Sequence, residues 1–335
     1  MQTYLAIDIG ASSGRHILGW VEEGNLHLEE LYRFENSLIK KNGRLCWDMD
    51  HLAEEVIQGL IKCRELSKIP DSVGIDTWAV DYVLLDGEGN PLGDAVAYRD
   101  SRTQGMDQLV EALVPPEELY ARTGIQKQEF NTIYQLMAVK TQEPALLEKA
   151  QRLLMVPEYL TYRLTGKLEN EYTNASTTGL VNARSKEWDG EILDKLGFPR
   201  RLFGKLRQPG YRVGGFTQEV RDRVGFDCQV VFPATHDTGS AFLAVPAKEG
   251  SVYLSSGTWS LLGTELPDPI TTEESRLRNF TNEGGFQYRF RYLKNIMGLW
   301  MLQSIRREAG PDVTFQALEQ AAREEAAFPA LVDVN

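Results

Sequence analysis

Hydrophobic positions change period several times along the chain, which predicts strands and helices in alternation. Short runs rich in β-branched and aromatic residues predict strands at residues 4–9, 16–21, 73–85, 229–232 and 251–254. Helical spacing predicts a first helix that is capped by Asp50 and ends before Pro70. Further helices are expected over residues 144–165 and 294–307. This order of elements is typical of an α/β protein.

Turns rich in glycine and hydroxyl residues divide these elements. The run at 10–14 predicts a hairpin between the first two strands, and the run at 86–90 predicts a second hairpin. A Pro, Ala, Lys, Glu and Gly run at 246–250 predicts a domain boundary, with one domain at 1–245 and the beginning of a second at 246–335.

Composition narrows the function classes. The 335 residues include 36 Lys and Arg against 48 Asp and Glu, a formal net charge of −12, and no basic stripe is present. We therefore expect no nucleic-acid partner. No run of apolar residues is long enough to span a membrane, so we expect no membrane partner. We favour a monomer. Cys46, Cys63 and Cys228 show no metal-ligand spacing and predict reduced thiols in a cytoplasmic protein.

The segment from Asp8 to Arg15 is the first candidate for chemistry. Glycines in a tight turn let backbone N–H groups approach an anion, and Arg15 adds a fixed positive fork. Asp8 stands at the strand end, where it is placed to hold a hydrated divalent cation beside the same anion. The alternative is an ordinary hairpin turn with a surface arginine.

The second candidate is the segment from Thr235 to Ser240. Asp237 follows a strand inside a turn of small residues, where a carboxylate can accept the proton of a hydroxyl that attacks a phosphoryl group. A Ser–His–Asp triad is disfavoured because His236 and Asp237 are neighbours in sequence and the chain has no GxSxG motif. His236 is either a substrate contact or a hydrogen-bonded loop histidine.

Three further segments carry polar groups beside aromatic residues. Residues 255–260 form a second turn of glycine and hydroxyl residues, so the sequence suggests two phosphate-gripping hairpins that face each other across a cleft. Carboxylates at 76, 81 and 100, next to Trp78 and Tyr98, suit a polyol, although a strand with two capped turns is the default interpretation. Asn295 and Gln303 are expected to share one face of a helix.

Taken together and in this order, these motifs resemble the FGGY family of carbohydrate kinases, within the sugar-kinase/actin/heat-shock ATPase superfamily. The resemblance covers essentially the whole chain. It implies an actin-like, ribonuclease H-like fold of two domains. The segments that carry it are GIDTWAVDYVLLD, AYRDSRT, EYTNASTTGLVNA, THDTGSA, YLSSGTWSLLG, TNEGG and LKNIMGLW.

The resemblance also implies an activity and its residues. It implies ATP-dependent phosphorylation of the C1 hydroxyl of L-rhamnulose with Mg²⁺, with Asp237 as the proton acceptor and Asp8 holding the metal through water. The residues implied to contact ATP are Ala11, Ser12, Ser13, Gly14, Arg15, Thr258 and Gln303. The residues implied to contact the sugar are Ala79, His236, Asp237, Thr238 and Asn295.

Two departures from the family pattern stand out. Ala79 occupies a position where glycine often faces the sugar, which adds a methyl group to the pocket. Family members also continue well beyond residue 335, so we expect the second domain to be incomplete. A kinase for L-fuculose or L-xylulose and a catalytically impaired sugar-binding fragment remain alternatives.

Overall fold

The computed structural model describes residues 2–248, 250–256, 259–310, 312–325 and 329. Strands and helices alternate through most of this length, so the α/β prediction is confirmed. The strands are β1 Thr3–Ile9, β2 Ser13–Glu22, β3 Asn25–Glu35, β4 Leu38–Lys41, β5 Arg44–Trp47, β6 Ser72–Thr77, β7 Tyr82–Leu85, β8 Pro91–Leu92, β9 Ala95–Val96, β10 Arg152–Met155, β11 Asn170–Glu171, β12 Leu206–Arg207, β13 Arg212–Gly214, β14 Gln229–Val231, β15 Val252–Ser256, β16 Trp259–Leu266, β17 Thr281–Gly284 and β18 Phe290–Met297.

The helices are mostly short. Within the described residues, none is both long and apolar enough to cross a membrane. They are α1 Met49–Glu65, α2 Met106–Glu111, α3 Pro116–Thr123, α4 Thr132–Gln142, α5 Pro144–Lys149, α6 Val156–Thr165, α7 Tyr172–Ala175, α8 Gly190–Leu196, α9 Gln218–Val224, α10 Asp237–Ala244, α11 Glu273–Leu277, α12 Trp300–Ala309 and α13 Phe315–Glu324.

A six-stranded sheet in the order β13-β14-β6-β1-β2-β3 organises the first part of the chain. The predicted hairpin of β1 and β2 is confirmed, and β6 and β14 run parallel to β1. Apolar residues of β1, β6 and β14 pack with α1, α6 and α9 into the main core. Helix α1 is capped by Asp48, whose carboxylate accepts from the N–H of His51, so the prediction of Asp50 as the cap is wrong by two residues.

Two long predicted elements are interrupted. Over 144–165 the chain forms α5, then β10, then α6, because β10 pairs antiparallel with β7 and this pairing overrides the helical pattern. The expected stop at Gly166 is confirmed, with φ at 67°. The predicted strand over 73–85 breaks into β6 and β7 at residues 78–81, where Val80 has φ at 67°.

A second sheet, in the order β15-β16-β18-β17, follows residue 250. The predicted helix over 294–307 is wrong in its first half, since Asn295 lies on β18 and only the second half belongs to α12. The cause is the antiparallel pairing of β18 with β16 over eight residue pairs. Helices α12 and α13 bury no residue among the described part of the chain, and apolar side chains on them are exposed.

Candidate active site

Three acidic residues meet at one edge of the main sheet. Asp8 near the end of β1 lies opposite Asp76 near the end of β6, because the two strands run parallel in that register. The chain after β14 continues this alignment, since Thr77 forms a parallel bridge with His236. Ligands of open α/β sheets bind outside the carboxyl ends of the strands. Asp237 follows His236 and therefore reaches the same edge.

A cleft of about 720 Å³ opens over these strand ends. Both sheets line it, so residues far apart in the sequence face the same space. The predicted site residues that line the cleft are Asp8, Ala11, Arg15, Ala79, His236, Asp237, Thr238 and Asn295.

The hairpin of β1 and β2 places the positively charged side chain of Arg15 in the cleft. Arg15 lies opposite Asp8 in the antiparallel register, and its guanidinium donates from Nη2 and Nε to Asp8 Oδ2 at 2.8 and 3.0 Å. Both side chains are partly exposed, so the pair is open to a ligand. A guanidinium in this position can reach a phosphate oxygen and still contact the carboxylate.

The turn that carries this hairpin is held by a residue outside the motif. The Asn36 side chain donates to the carbonyl of Gly10 at 2.8 Å, and its backbone N–H donates to the carbonyl of Ser12 at 3.0 Å. Gly14 is buried, and a Cβ there would lie 2.1 Å from the ring of Phe34. Its lack of a side chain therefore serves packing under the turn, in addition to any contact with an anion.

Charge at the acidic edge is only partly balanced by the protein. Burial, followed by the negative charges of Asp8 and Asp237, raises the pKa of Asp76 well above its ordinary value. The nearby Ser240 side chain opposes this shift without reversing it. The edge is thus a place where an added cation would lower the electrostatic energy.

These residues fit a hydrated Mg²⁺ ion. Mg²⁺ is usually held by one or two carboxylates together with waters and substrate phosphates, and carboxylate oxygens are the donors it prefers. In the part of the chain that the structure describes, no group of three or more His, Cys, Asp or Glu is arranged to ligate a metal directly. An ion held by Asp8 through water agrees with this arrangement.

Asp237 is the first residue of α10, and His236 is the N-cap of that helix. The sequence predicted a turn here, so the acid is better fixed than expected. Asp237 Oδ1 accepts from the backbone N–H and the hydroxyl of Thr238. Its side chain is 40% exposed toward the cleft, whereas the His236 side chain is 9% exposed. Asp237 can therefore meet a substrate hydroxyl, and His236 forms a wall beside it.

Aromatic side chains form another wall of the cleft. Trp78 and Tyr98 line it, and Tyr98, Phe130 and Trp259 follow one another with ring centroids 5.5 and 6.1 Å apart. Flat apolar faces of this kind pack against the C–H groups of a sugar. Phe130 was not among the predicted site residues, because its place in the cleft depends on packing with the second sheet.

Asp81 stands beneath this wall and does not reach the cleft. Its Oδ2 accepts from the indole N–H groups of Trp47 at 2.6 Å and Trp78 at 3.0 Å, and from the backbone N–H of Tyr98 at 3.1 Å. Its Oδ1 accepts from the amide of Gln135 at 2.9 Å. Of the three carboxylates expected to serve a polyol, only Asp76 lines the cleft.

The other buried acid of that prediction, Asp100, is also structural. It accepts from the backbone N–H groups of Leu45 and Arg102 at 2.9 Å each. The default interpretation of a structural segment therefore holds for Asp81 and Asp100, and Asp76 is the one acid of the three that faces the cleft.

The second sheet contributes Asn295. Its side-chain amide donates to Gln126 Oε1 at 3.2 Å, which orients it at the cleft wall. Gln126, Thr281 and Glu283 also line the cleft and were not among the predicted site residues, although Thr281 and Glu283 belong to the TNEGG segment that carries the family resemblance. Gln303 lies on α12, away from Asn295, so the expected shared helix face is wrong.

Other predicted residues are not at the cleft lining. Ser12, Ser13, Gly14 and Gln303 do not line it, whereas Ser255 and Ser256 do. Thr258 and Gly257 lie outside the described residues. The two turns rich in glycine and hydroxyl residues therefore each bring at least one residue to the cleft.

Comparisons with known proteins agree with this geometry. The profile of the FGGY family of carbohydrate kinases, N-terminal domain, matches residues 3–244. A rhamnulokinase from Oceanobacillus iheyensis is 50% identical over 334 residues, which cover 100% of this chain and 71% of that protein. A rhamnulokinase from Halalkalibacterium halodurans is 52% identical over 336 residues, again covering 100% and 71%. One from Bacillus subtilis is 42% identical, covering 99% and 68%.

Solved structures are similar in fold. A ligand-bound xylulose kinase from Lactobacillus acidophilus superposes with a TM-score of 0.84 at 19% identity, over 98% of this chain and 66% of that one. A glycerol kinase from Plasmodium falciparum with ADP superposes with a TM-score of 0.79 at 15% identity, over 96% and 67%. The sugar-kinase fold expected from the motifs is confirmed.

Proposed function

Because this chain belongs to the FGGY family of carbohydrate kinases, we propose that it transfers the γ-phosphoryl group of ATP to the C1 hydroxyl of L-rhamnulose. The products are L-rhamnulose 1-phosphate and ADP. Support for the substrate comes from the rhamnulokinases that are 42–52% identical over nearly the whole chain. The observation that carries the chemistry is the meeting of Asp8, Arg15 and Asp237 at one edge of one cleft.

Asp237 acts as the proton acceptor in this proposal. A carboxylate that faces the cleft at the start of α10 can accept the proton of the attacking hydroxyl as the bond to phosphorus forms. His236, Thr238, Ala79 and Asn295 surround the sugar. The aromatic wall at Trp78 shields one face of it from water, which limits wasteful hydrolysis of ATP.

The phosphates of ATP lie over the β1–β2 hairpin. Arg15 donates to phosphate oxygens, and the turn at Ala11, Ser12, Ser13 and Gly14 offers backbone N–H groups. Thr258 and Gln303 complete the proposed set of ATP contacts. Asp8 would hold Mg²⁺ through water, and the bound ion would neutralise charge on the transferred phosphoryl group.

Two domains share this work in the proposal, residues 1–245 and the start of a second domain at 246–335. We also propose that the protein acts in the cytoplasm as a monomer, without nucleic-acid or membrane partners. The free, buried thiols of Cys46, Cys63 and Cys228 agree with a reducing compartment.

Sugar-dependent release of ADP tests the proposed function. The chain is incubated with Mg-ATP alone and with L-rhamnulose, L-fuculose or L-xylulose, and phosphorus NMR locates the phosphate in the product. We expect release to depend on sugar, to be greatest with L-rhamnulose and to give a phosphate on C1. Greater release of ADP with another ketose would mean that this ketose, and not L-rhamnulose, is the preferred substrate. No release of ADP with any of the ketoses would contradict the proposed kinase activity.

A further inference from the structure

A buried ion pair from the second sheet lies beneath His236, the residue before the proposed proton acceptor Asp237. Glu283 on β17 and Arg291 on β18 face each other in the antiparallel register, and Arg291 Nη2 donates to Glu283 Oε2 at 3.1 Å. Arg291 is 1% exposed and Glu283 is 7% exposed. Charged groups this deeply buried are uncommon unless they are paired, and burying even a pair costs desolvation energy. A role other than stabilising the fold would explain why this pair is present.

The pair touches His236 on one ring nitrogen. His236 Nδ1 lies 3.1 Å from Arg291 Nη2 and 3.3 Å from Glu283 Oε2. A guanidinium carries only donors, so the contact with Arg291 is a hydrogen bond only if Nδ1 accepts. Nδ1 then carries no proton, and the proton of the neutral imidazole is on Nε2.

The other protonation states are less favourable in this geometry. An Nδ1–H would lose the hydrogen bond with Arg291 Nη2, which is itself a donor, and would keep only the longer contact with Glu283 Oε2 at 3.3 Å. A doubly protonated imidazole would also lose this hydrogen bond and would place a second positive charge 3.1 Å from the guanidinium, between the carboxylates of Glu283 and Asp237. The hydrogen bond from Arg291, which Glu283 holds in place, therefore favours the tautomer with its proton on Nε2.

The Nε2 side of the ring faces the chemistry. Nε2 lies 3.5 Å from Asp237 Oδ1, and both residues line the cleft. If Asp237 accepts the proton of the C1 hydroxyl, an N–H donor this close is within reach of the oxygen on the neighbouring carbon. In a 2-ketose that atom is the C2 oxygen, which is a hydrogen-bond acceptor.

The position of the Arg291 guanidinium depends on Gly239 in α10. A Cβ at Gly239 would lie 2.4 Å from Arg291 Nη1, so the guanidinium packs directly against the first turn of α10. Arg291 Nε and Nη1 have no hydrogen-bond partner among the described residues. Unpaired buried donors cost stability, which argues that the arginine is not there to stabilise the fold.

We propose that Glu283 and Arg291 are positioning residues that hold His236 as the Nε2–H tautomer, so that it donates a hydrogen bond to the C2 oxygen of the ketose. This inference rests on the proposed function for the identity of the acceptor. The tautomer itself can be measured without any turnover. The second sheet thereby completes a site whose proton acceptor belongs to the first part of the chain.

Nitrogen-15 NMR of the full chain labelled at histidine tests the tautomer directly. The His236→Gln variant identifies the His236 signals among the four histidines. We expect a protonated Nε2 and an unprotonated Nδ1 in the wild type. A protonated Nδ1, as the other tautomer or as imidazolium, overturns the proposal. Loss of the proposed kinase activity would leave this result unchanged, so the two failures are distinguishable.

Kinetics of a double variant test the consequence. Arg291→Met with Glu283→Gln removes both charges together, which avoids leaving one buried ion without its partner. We expect kcat/KM for L-rhamnulose to fall roughly tenfold, mainly through KM for the sugar, with KM for ATP unchanged. Equal effects on the two KM values, or none on the sugar, would overturn the positioning role.

A matched ion pair provides the control. Arg289, just before β18, donates to Glu265 on β16 at 2.8 Å, but this pair is only partly buried and neither residue lines the cleft. Arg289→Met with Glu265→Gln should leave both KM values and the His236 spectrum unchanged. If the buried double variant does not fold, the wild-type spectrum alone decides the proposal.

Discussion

The acidic edge of the cleft and the buried network around Asp81 use the same chemical group in opposite ways. Asp81 accepts four hydrogen bonds from N–H groups of the protein, so its oxygens are satisfied without a ligand. At the cleft, Asp76 faces two other acids, Asp8 and Asp237, whose charges raise its pKa after burial has done so. Carboxylates whose charge the protein leaves unbalanced are the ones expected to meet a cation and a substrate.

Two acids of one sequence motif do not share a role in the structure. Asp76 and Asp81 stand five positions apart in one motif, but Asp81 is buried, whereas Asp76 is partly exposed and lines the cleft. Hydrogen-bond partners separate the structural acid from the functional one. Substitutions at the two regions should therefore separate loss of catalysis from loss of stability.

The largest effect is expected from Asp237→Asn. The amide keeps the size of the side chain but cannot accept the proton, so turnover should fall on the order of 10²–10⁴-fold. Steady-state ADP release measures it, and the melting temperature should stay near that of the wild type. Turnover equal to the wild type would remove Asp237 from the mechanism.

Asp81→Ala should show the opposite profile. It leaves two indole N–H groups and one backbone N–H without an acceptor inside the core, so the free energy of unfolding should fall by about 3–5 kcal/mol. Urea unfolding followed by tryptophan fluorescence measures this loss. Asp50→Ala on the exposed surface of α1 is the control. A loss in Asp81→Ala no larger than in the control would show that the network is not structural.

We expect the buried side chain of His16 to make the stability of the fold depend on pH. Burial lowers the pKa of His16 from 6.5 to about 4, with a partial offset from its hydrogen bond to the carbonyl of Val56. The unfolded chain then binds a proton that the folded chain does not, so stability is complete above pH 6.5 and is lost as the pH falls toward 4.

Over that pH range the free energy of unfolding should fall by about 3 kcal/mol, because each unit of difference in pKa between the folded and the unfolded state contributes about 1.36 kcal/mol. Unfolding free energies measured between pH 7 and pH 4 provide the test. The His16→Leu variant should lose that part of the pH dependence, whereas His51→Leu, at an exposed position, should retain it. Identical pH profiles for the wild type and His16→Leu would contradict the assignment.

Asp8→Asn should have the smallest effect. If Asp8 holds Mg²⁺ through water, the amide weakens the ion's outer contacts, and the Mg²⁺ concentration for half-maximal activity should rise roughly tenfold. Activity should recover at high Mg²⁺, unlike that of Asp237→Asn. A loss that excess Mg²⁺ does not restore would place Asp8 in another role.

The sequence predicted the parts of the site that lie within short motifs. Asp8 and Arg15 lie near the strand ends of the β1–β2 hairpin, which forms where its pattern places it, and Asp237 begins α10 shortly after β14. Local spacing was sufficient there because the chemistry and the turn are encoded in the same few residues.

Features that depend on long-range pairing were not predictable in this way. Asn295 was assigned to a helix because its local spacing is helical, but β16 pairs with its segment and makes it a strand. The role of Asp81 requires Trp47, 34 positions away, to fold beside Trp78. Glu283, Arg291 and His236 meet only when two sheets pack together. Such contacts follow from the tertiary fold and leave no local pattern.

The affinity of Asp237→Asn for L-rhamnulose is the measurement that tests the central claim most directly. Calorimetry on the folded variant separates binding from turnover. An acid that acts in the chemical step should be removable without loss of sugar binding, so we predict an affinity equal to that of the wild type alongside the fall in turnover. A loss of affinity as large as the loss of turnover would contradict the account, because Asp237 would then serve to hold the sugar.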